Sequence, residues 1–305
     1  MFKHLLVPLD GSHLAEAALP AAIYFARALK ARVSLLHVIE RDAPQEIHGE
    51  RHLTNTDDAR KYLDEVAERA FPPELRVERH VHGNEVDNVA ESIAEHEREL
   101  GSDLIVMCTH GRGGLRDIIS GRIAQQVVGL GTTPILLIPP SMSGAAPAFL
   151  CKRMLVTLDG NPEHEEGLNV AAGLAKSCAA GLSLVMVVQK YATLSGEEAA
   201  TATMLPGATH MLLDLAEGEA KEYLHRHVAA LQAAGITARA DVRRGDPVTT
   251  IVATAKETGA DLIVLATHGK TGMDAFWSGS ATPNVTRRSV IPLLLVPVRR
   301  EERGN

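Results

Sequence analysis

A chain of 305 residues, 45% hydrophobic and 23% charged, has the size and composition of two ordinary globular domains. Its 38 acidic and 31 basic side chains give a formal charge of −7, and no stretch gathers Lys and Arg as a phosphate-neutralising surface requires, so nucleic acid is not an expected partner. Three cysteines in no CxxC pair and the absence of any apolar run near the ~20 residues of a membrane span lead to the expectation of a soluble, cytoplasmic protein with inert thiols.

The elements alternate along the chain. The apolar run 4–9 predicts a strand that stops at Asp10-Gly11-Ser12, and the helix after it contains Pro20, which is expected to kink it. Further strands are expected at 32–39, 75–82, 103–109 and 134–138, with helices between them. The fourth strand runs into Thr109-His110-Gly111, and the next helix opens at Gly121-Arg122. A small-residue linker spans Pro139 to Leu150. The pattern then returns, with strands expected at 153–158, 182–188, 236–243, 261–267 and 292–296. His4-Leu-Leu-Val-Pro-Leu-Asp10-Gly11 comes back as Arg153-Met-Leu-Val-Thr-Leu-Asp159-Gly160. Ser102-Asp103-Leu-Ile-Val comes back as Ala260-Asp261-Leu-Ile-Val, and Gly121 as Gly279. Matched motifs in matched order identify an internal duplication. Asn161-Pro162 and Asp246-Pro247 each read as a capping side chain before a proline in the first helical turn.

The spacing between matched motifs changes twice. It predicts a longer loop from Gln189 to Ala208 than from Arg41 to His52, and one extra helical turn between Gly83 and Asp103. The expected fold class is α/β: two tandem doubly wound, Rossmann-like domains, 1–140 and 151–298, each with a five-stranded parallel sheet of order 3-2-1-4-5.

Ligands of such sheets sit beyond the carboxyl ends of the strands, where strand order reverses. Four segments of each copy are expected to converge there: Asp10 or Asp159, Val38 or Val187, the Thr-His-Gly turn, and the helix opening at Gly121-Arg122 or Gly279-Ser280. Glycines let backbone N–H groups approach phosphate oxygens, and a helix N-terminus presents unpaired donors to an anion. The same residues admit plainer roles. Asp10 can cap the following helix, His110 and His268 can fix their loops, and Cys108 can serve as a small buried hydrophobe. His80-x-His82 lacks a third ligand in the sequence, so no metal site is expected.

The ordered set resembles a tandem universal stress protein over nearly the whole of both copies. The family's nucleotide motif is Gly-x2-Gly-x9-Gly-Ser/Thr. Ala266-x2-Gly269-x9-Gly279-Ser280 departs from it only at the first glycine, whereas Cys108-x2-Gly111-x9-Gly121-Arg122 departs at two positions. The resemblance implies ATP as ligand, with Mg2+ shared by the phosphates and Asp159 as an option. It implies that adenosine touches Thr157, Leu158, Asp159, Val187 and Leu265, and that phosphates touch Ala266, Gly269, Gly279, Ser280, Ala281 and Thr282. The matching positions of the first copy are Pro8, Leu9, Asp10, Val38, Met107, Cys108, Gly111, Gly121, Arg122, Ile123 and Ala124. Arg122 can either reach a phosphate as a charge-assisted partner or fold over the helix start and fill the pocket, and Cys108 adds a side chain where the family favours glycine. Two departures together lead to the expectation that the second copy is the better site.

The function so implied is non-enzymatic: a stress-response or signalling module whose adenine nucleotide changes its shape or its downstream protein partner. The alternatives are a slow ATPase or adenylating enzyme, and a scaffold whose sites have decayed. The edge strands 134–138 and 292–296 can pair within one chain as an internal pseudo-dimer, and a homodimer of chains is a further option.

Overall fold

The computed structural model describes residues 1–43, 46–47, 50–109, 122–130, 132–140, 148–194, 196–268 and 281–298, the side chains of 47, 51, 122, 268 and 281 excepted. In the first copy the strands are β1 (His4–Pro8), β2 (Arg32–Glu40), β3 (Glu46–Ile47), β4 (Glu50–Arg51), β5 (Val77–Val86), β6 (Leu104–Cys108) and β7 (Ile135–Ile138). Its helices are α1 (Leu19–Leu29), α2 (Thr56–Ala70), α3 (Val89–Leu100) and α4 (Arg122–Leu130). The second copy contributes β8 (Arg153–Leu158), β9 (Gly181–Val188), β10 (Ala238–Arg244), β11 (Leu262–His268) and β12 (Leu293–Val298). Its helices are α5 (Glu166–Cys178), α6 (Gly196–Met204), α7 (Pro206–Ala233), α8 (Pro247–Glu257) and α9 (Ala281–Arg288).

One ten-stranded sheet carries both copies, in the order β10-β9-β8-β11-β12-β7-β6-β1-β2-β5. Each half is parallel and follows the expected order 3-2-1-4-5. The halves meet where β12 pairs antiparallel with β7, Leu294 opposite Leu136. Each copy thereby covers the other's otherwise unpaired edge.

Strand residues alternate between two buried layers, as a parallel sheet covered on both faces requires. Leu5, Val7, Leu104 and Val264 join α1 and α5 on one side; Leu6, Ile105, Ile263 and Leu265 join α4 and α8 on the other. Completely burying a leucine is worth roughly 1.5–3 kcal/mol, so these central strands carry much of the fold's stability. The scarce aromatics are spent at the seam: Phe149, just before β8, packs 5.4 Å and 5.3 Å from the rings of Tyr24 and Phe25 on α1. Asp103 and Asp261, both part of the repeated motif, are structural. Each carboxylate accepts two successive backbone N–H groups at the start of its copy's first strand, from Lys3 and His4 or from Lys152 and Arg153.

Asn161 and Asp246 cap their helices as expected, accepting from Glu163 N and Thr249 N. Four readings need correction. Pro20 does not kink a helix: a 3-10 turn, Ala15–Ala18, ends first, and Pro20 falls in the opening turn of α1, where its missing N–H costs nothing. The extra residues between Gly83 and Asp103 do not lengthen a helix. They extend the third strand, β5, through Val86, across a register shift between Val38 and Glu40. The stretch from Gln189 to Ala208 is not a long loop, since α6 and the first residues of α7 lie within it. The shorter stretch from Arg41 to His52 holds the β3–β4 hairpin, too brief for alternation to reveal.

Candidate nucleotide site

The reversal of strand order lies between the first and fourth strands of each copy. Leu6 pairs with Ile105 on one side of β1, and Val7 with Leu35 on the other. In β8, Val156 pairs with Val264, and Thr157 with Val185. Extending these registers brings Asp10 between Val38 and the end of β6, and Asp159 between Val187 and the end of β11.

Both aspartates leave the sheet through the same turn. Gly11 and Gly160 have φ of +92° and +84°, a backbone region that side chains with Cβ rarely enter. The Oδ1 of Asp10 accepts the backbone N–H of Ser12 at 2.9 Å and its hydroxyl at 2.7 Å. That of Asp159 accepts Asn161 N–H at 3.0 Å. The carboxylates are thus aimed by the turn. Asp10 does not cap the following helix: neither the 3-10 turn nor α1 has a side-chain cap, and Ser12 Oγ accepts from Ala15 N at 3.2 Å within the turn.

The surroundings of the two turns differ. In the first copy the chain folds back over Gly11: a Cβ there would lie 2.9 Å from Leu53 Cγ, and the backbone N–H of His13 donates to Glu50 at 2.9 Å. His37 fastens this cover, its ring nitrogens lying 2.8 Å from Leu9 O and 3.2 Å from Leu53 O. Burial lowers the pKa of His37, and a neutral ring donates to one of these carbonyls at a time. The equivalent of His37 in the repeat is Met186, whose methyl group lies 3.2 Å from the Cβ position of Gly160. In the second copy Asp159 is exposed and meets His164 Nδ1 at 2.5 Å; the first copy has Ala15 at the place of His164. Nearby, Glu165 on the same turn accepts from Tyr223 OH at 2.8 Å and pairs with His227 at 3.2 Å. Neither the His164 contact nor the Leu53 cover was legible in the motif, because both come from segments in which the copies differ.

The expected site residues divide into three groups. Thr157, Asp159, Val187, Pro8 and Asp10 retain exposed surface at the strand ends, and Ala266 is half-buried with its backbone N 3.4 Å from the Cβ position of Gly167 on α5. Leu158, Leu265, Leu9, Val38, Met107 and Ala124 are buried in the two hydrophobic layers, and Cys108 is buried at the end of β6, which leaves their backbones rather than their side chains for a ligand. Burial, then the charge of Asp10, pushes the Cys108 thiol up to about 12, which keeps it protonated at neutral pH. Thr282 is buried near the start of α9, its carbonyl accepting from Thr286 Oγ1 at 2.9 Å, and Ile123 is exposed on α4. Arg122 and Ala281 open α4 and α9. Gly111, Gly121, Gly269, Gly279 and Ser280, together with His110, lie outside the described residues.

At the strand ends of the second copy, then, Asp159 presents a carboxylate aimed by its turn, and Val187 stands beside it in register. Among the described residues no group of three His, Cys, Asp or Glu side chains is arranged to hold a metal ion, and no helix is long and apolar enough to cross a membrane.

The comparisons with known proteins agree with this architecture. The model of the universal stress protein family matches the chain twice, over residues 1–139 and 151–297. A universal stress protein of Bacillus subtilis is 29% identical over 151 residues, which is 45% of this chain and 99% of that one. One of Methanocaldococcus jannaschii is 26% identical over 155 residues, 50% of this chain and 86% of that one. Among solved structures, a universal stress protein of Archaeoglobus fulgidus superposes with a TM-score of 0.67 at 18% identity, covering 97% of this chain and 96% of that one, so the likeness in fold extends through both copies.

Proposed function

The chain belongs to the universal stress protein family, and from that premise we propose that it is an ATP-binding regulatory module whose second copy is the working nucleotide site. The observation that carries this reading is the pairing of an open Asp159-Gly160 turn with the nearly complete motif Ala266-x2-Gly269-x9-Gly279-Ser280 in one copy. Asp159 orients the ribose, Thr157, Leu158, Val187 and Leu265 border the adenosine, and the glycines, Ser280 and the first turn of α9, Ala281 and Thr282, receive the phosphates. Backbone N–H donors at a helix start suit a polyphosphate without further side-chain charge.

The first copy, with Cys108 and Arg122 at motif positions and Leu53 folded over Gly11, is the weaker site. Pro8, Leu9, Asp10, Val38 and Met107, with Gly111, Gly121, Ile123 and Ala124, would form its walls. In this proposal, units 1–140 and 151–298 work as an internal pseudo-dimer joined along β7 and β12, one arm binding nucleotide and the other fixed by its own loop. The module acts through its shape in the cytoplasm, with Mg2+ accompanying ATP and no turnover required.

Mass spectrometry of the small molecules released when the purified protein is denatured tests the reading. Adenine nucleotide in near-stoichiometric amount is expected; its absence, together with no detectable binding of added ATP, contradicts it.

A further inference from the structure

The two copies differ most in the helix before their third strand. In the first, α2 spans 15 residues, buries Ala59, Leu63, Val66 and Ala67, and turns charged side chains outward. In the second, α7 spans 28 residues and buries Leu213, Ala220, Leu224 and Leu231. Its N-terminal half has no counterpart in α2, and its outer face is apolar. Ala208, Met211, Leu212 and Leu215 recur there at i, i+3, i+4 and i+7, one stripe of a helix. Met211, Leu212 and Leu215 are 74%, 66% and 59% exposed, and Met204 at the end of α6 is 81% exposed. Soluble monomers rarely expose such a contiguous group without a use for it.

Charge selects the occupant. Between residues 191 and 222 there are six Asp and Glu against one Lys or Arg, Lys221, which pairs with Glu217. Arg244 on β10 engages two of the acids, Asp214 and Glu217, from the inner side. Glu197 and Glu198 precede the apolar stripe on α6, and the exposed Glu219 and Glu222 follow it on α7. With this segment of net negative charge, a second copy of this chain would set like charges together. An anionic lipid surface would be repelled for the same reason. A segment with apolar residues along one face and Lys or Arg around them satisfies both features. Such segments dock as helices against apolar grooves, and methionine surfaces adapt readily to them.

We infer that the outer face of α6 and α7 is a docking surface for a basic amphipathic helix of a partner protein. The inference is independent of nucleotide binding.

The test uses the full chain and a fluorescein-labelled synthetic peptide of roughly 18 residues, about five helical turns, made of Leu and Lys with Leu at i, i+3, i+4 and i+7. Fluorescence anisotropy should report saturable binding. The double substitution Met211→Glu, Leu215→Glu should weaken it by about 10-fold or more, as loss of central apolar anchors does, although it adds negative charge. Glu219→Lys with Glu222→Lys should weaken it as well. Because both apolar positions are exposed the double variant should fold; if circular dichroism shows otherwise, Met211→Ser carries the test. Unchanged or tighter binding in the Glu variant would mean that charge alone attracts the peptide and would overturn the proposal. Equal binding of a peptide with the same composition but scrambled order would do the same, as would no binding at all. Sedimentation showing self-association abolished by the double substitution would assign the face to a second copy instead, and co-flotation with phosphatidylglycerol vesicles to a membrane.

Discussion

The turns at Asp10-Gly11 and Asp159-Gly160 start from nearly the same sequence, adopt the same left-handed glycine and aim their carboxylates in the same way. What differs is who their neighbours are. Leu53 lies over Gly11 and is held by His37, whereas among the described residues Gly160 meets the tip of Met186. A duplicated backbone motif therefore sets the same turn in both copies, while the segment after the second strand sets what lies over it in the first. In one copy that segment carries the short β3–β4 pair; in the other it has grown into α6 and the first half of α7.

The comparison can be broken most decisively at Gly279. Gly279→Val should remove the tight ATP site of the second copy, since a branched side chain would stand in the path of phosphate to the start of α9, leaving at most the weak binding of the first copy; calorimetry with unchanged affinity would remove the second copy as the working site. Ser280→Ala should be gentler. Loss of one hydrogen bond to a charged group costs about 1.5–3 kcal/mol, a weakening on the order of 10- to 100-fold, read in the same titration.

Two smaller effects sharpen the contrast in stability rather than binding. Gly11→Ala and Gly160→Ala each force alanine into a left-handed conformation, at roughly 1–2 kcal/mol. Gly11→Ala must in addition displace Leu53, 2.9 Å from the new Cβ, against 3.2 Å to a flexible methionine methyl at Gly160. Urea unfolding should therefore rank Gly11→Ala as the more destabilising of the two.

Acid should loosen the first copy's cover. Burial holds the folded-state pKa of His37 below its ordinary value, so the unfolded chain binds the proton more readily. The stability this histidine contributes is complete above the unfolded value of about 6.5 and is lost as pH falls through the lower folded value. Buried His4 and partly buried His80, both lowered chiefly by desolvation, act in the same direction. Between about pH 7 and pH 5 the unfolding free energy should decline, and His37→Gln should make that decline shallower. An unchanged slope in that variant would assign the acid response elsewhere.

Much of the fold was legible because the strands are continuous apolar runs and the motifs occur twice. Pairing of the two edge strands was an expectation of the family resemblance, and β7 and β12 do pair. The runs at 75–82 and 236–243 were placed less well, since β5 and β10 are edge strands in which polar residues blur the pattern. The helix over 196–204 escaped notice because Glu-Glu-Ala-Ala-Thr-Ala-Thr carries no apolar stripe. At the site, the Asp-Gly turns could be read from composition and position. His164 and Leu53 could not. Contacts with those two residues depend on where unrepeated segments fold back, and no local periodicity encodes that.

Counting ATP bound per chain by calorimetric titration of the unmodified protein tests the inequality of the two copies most directly. The account predicts one tight ATP per chain, and with Arg122→Ser a second site that gains affinity. Two equal tight sites in the unmodified protein would contradict it.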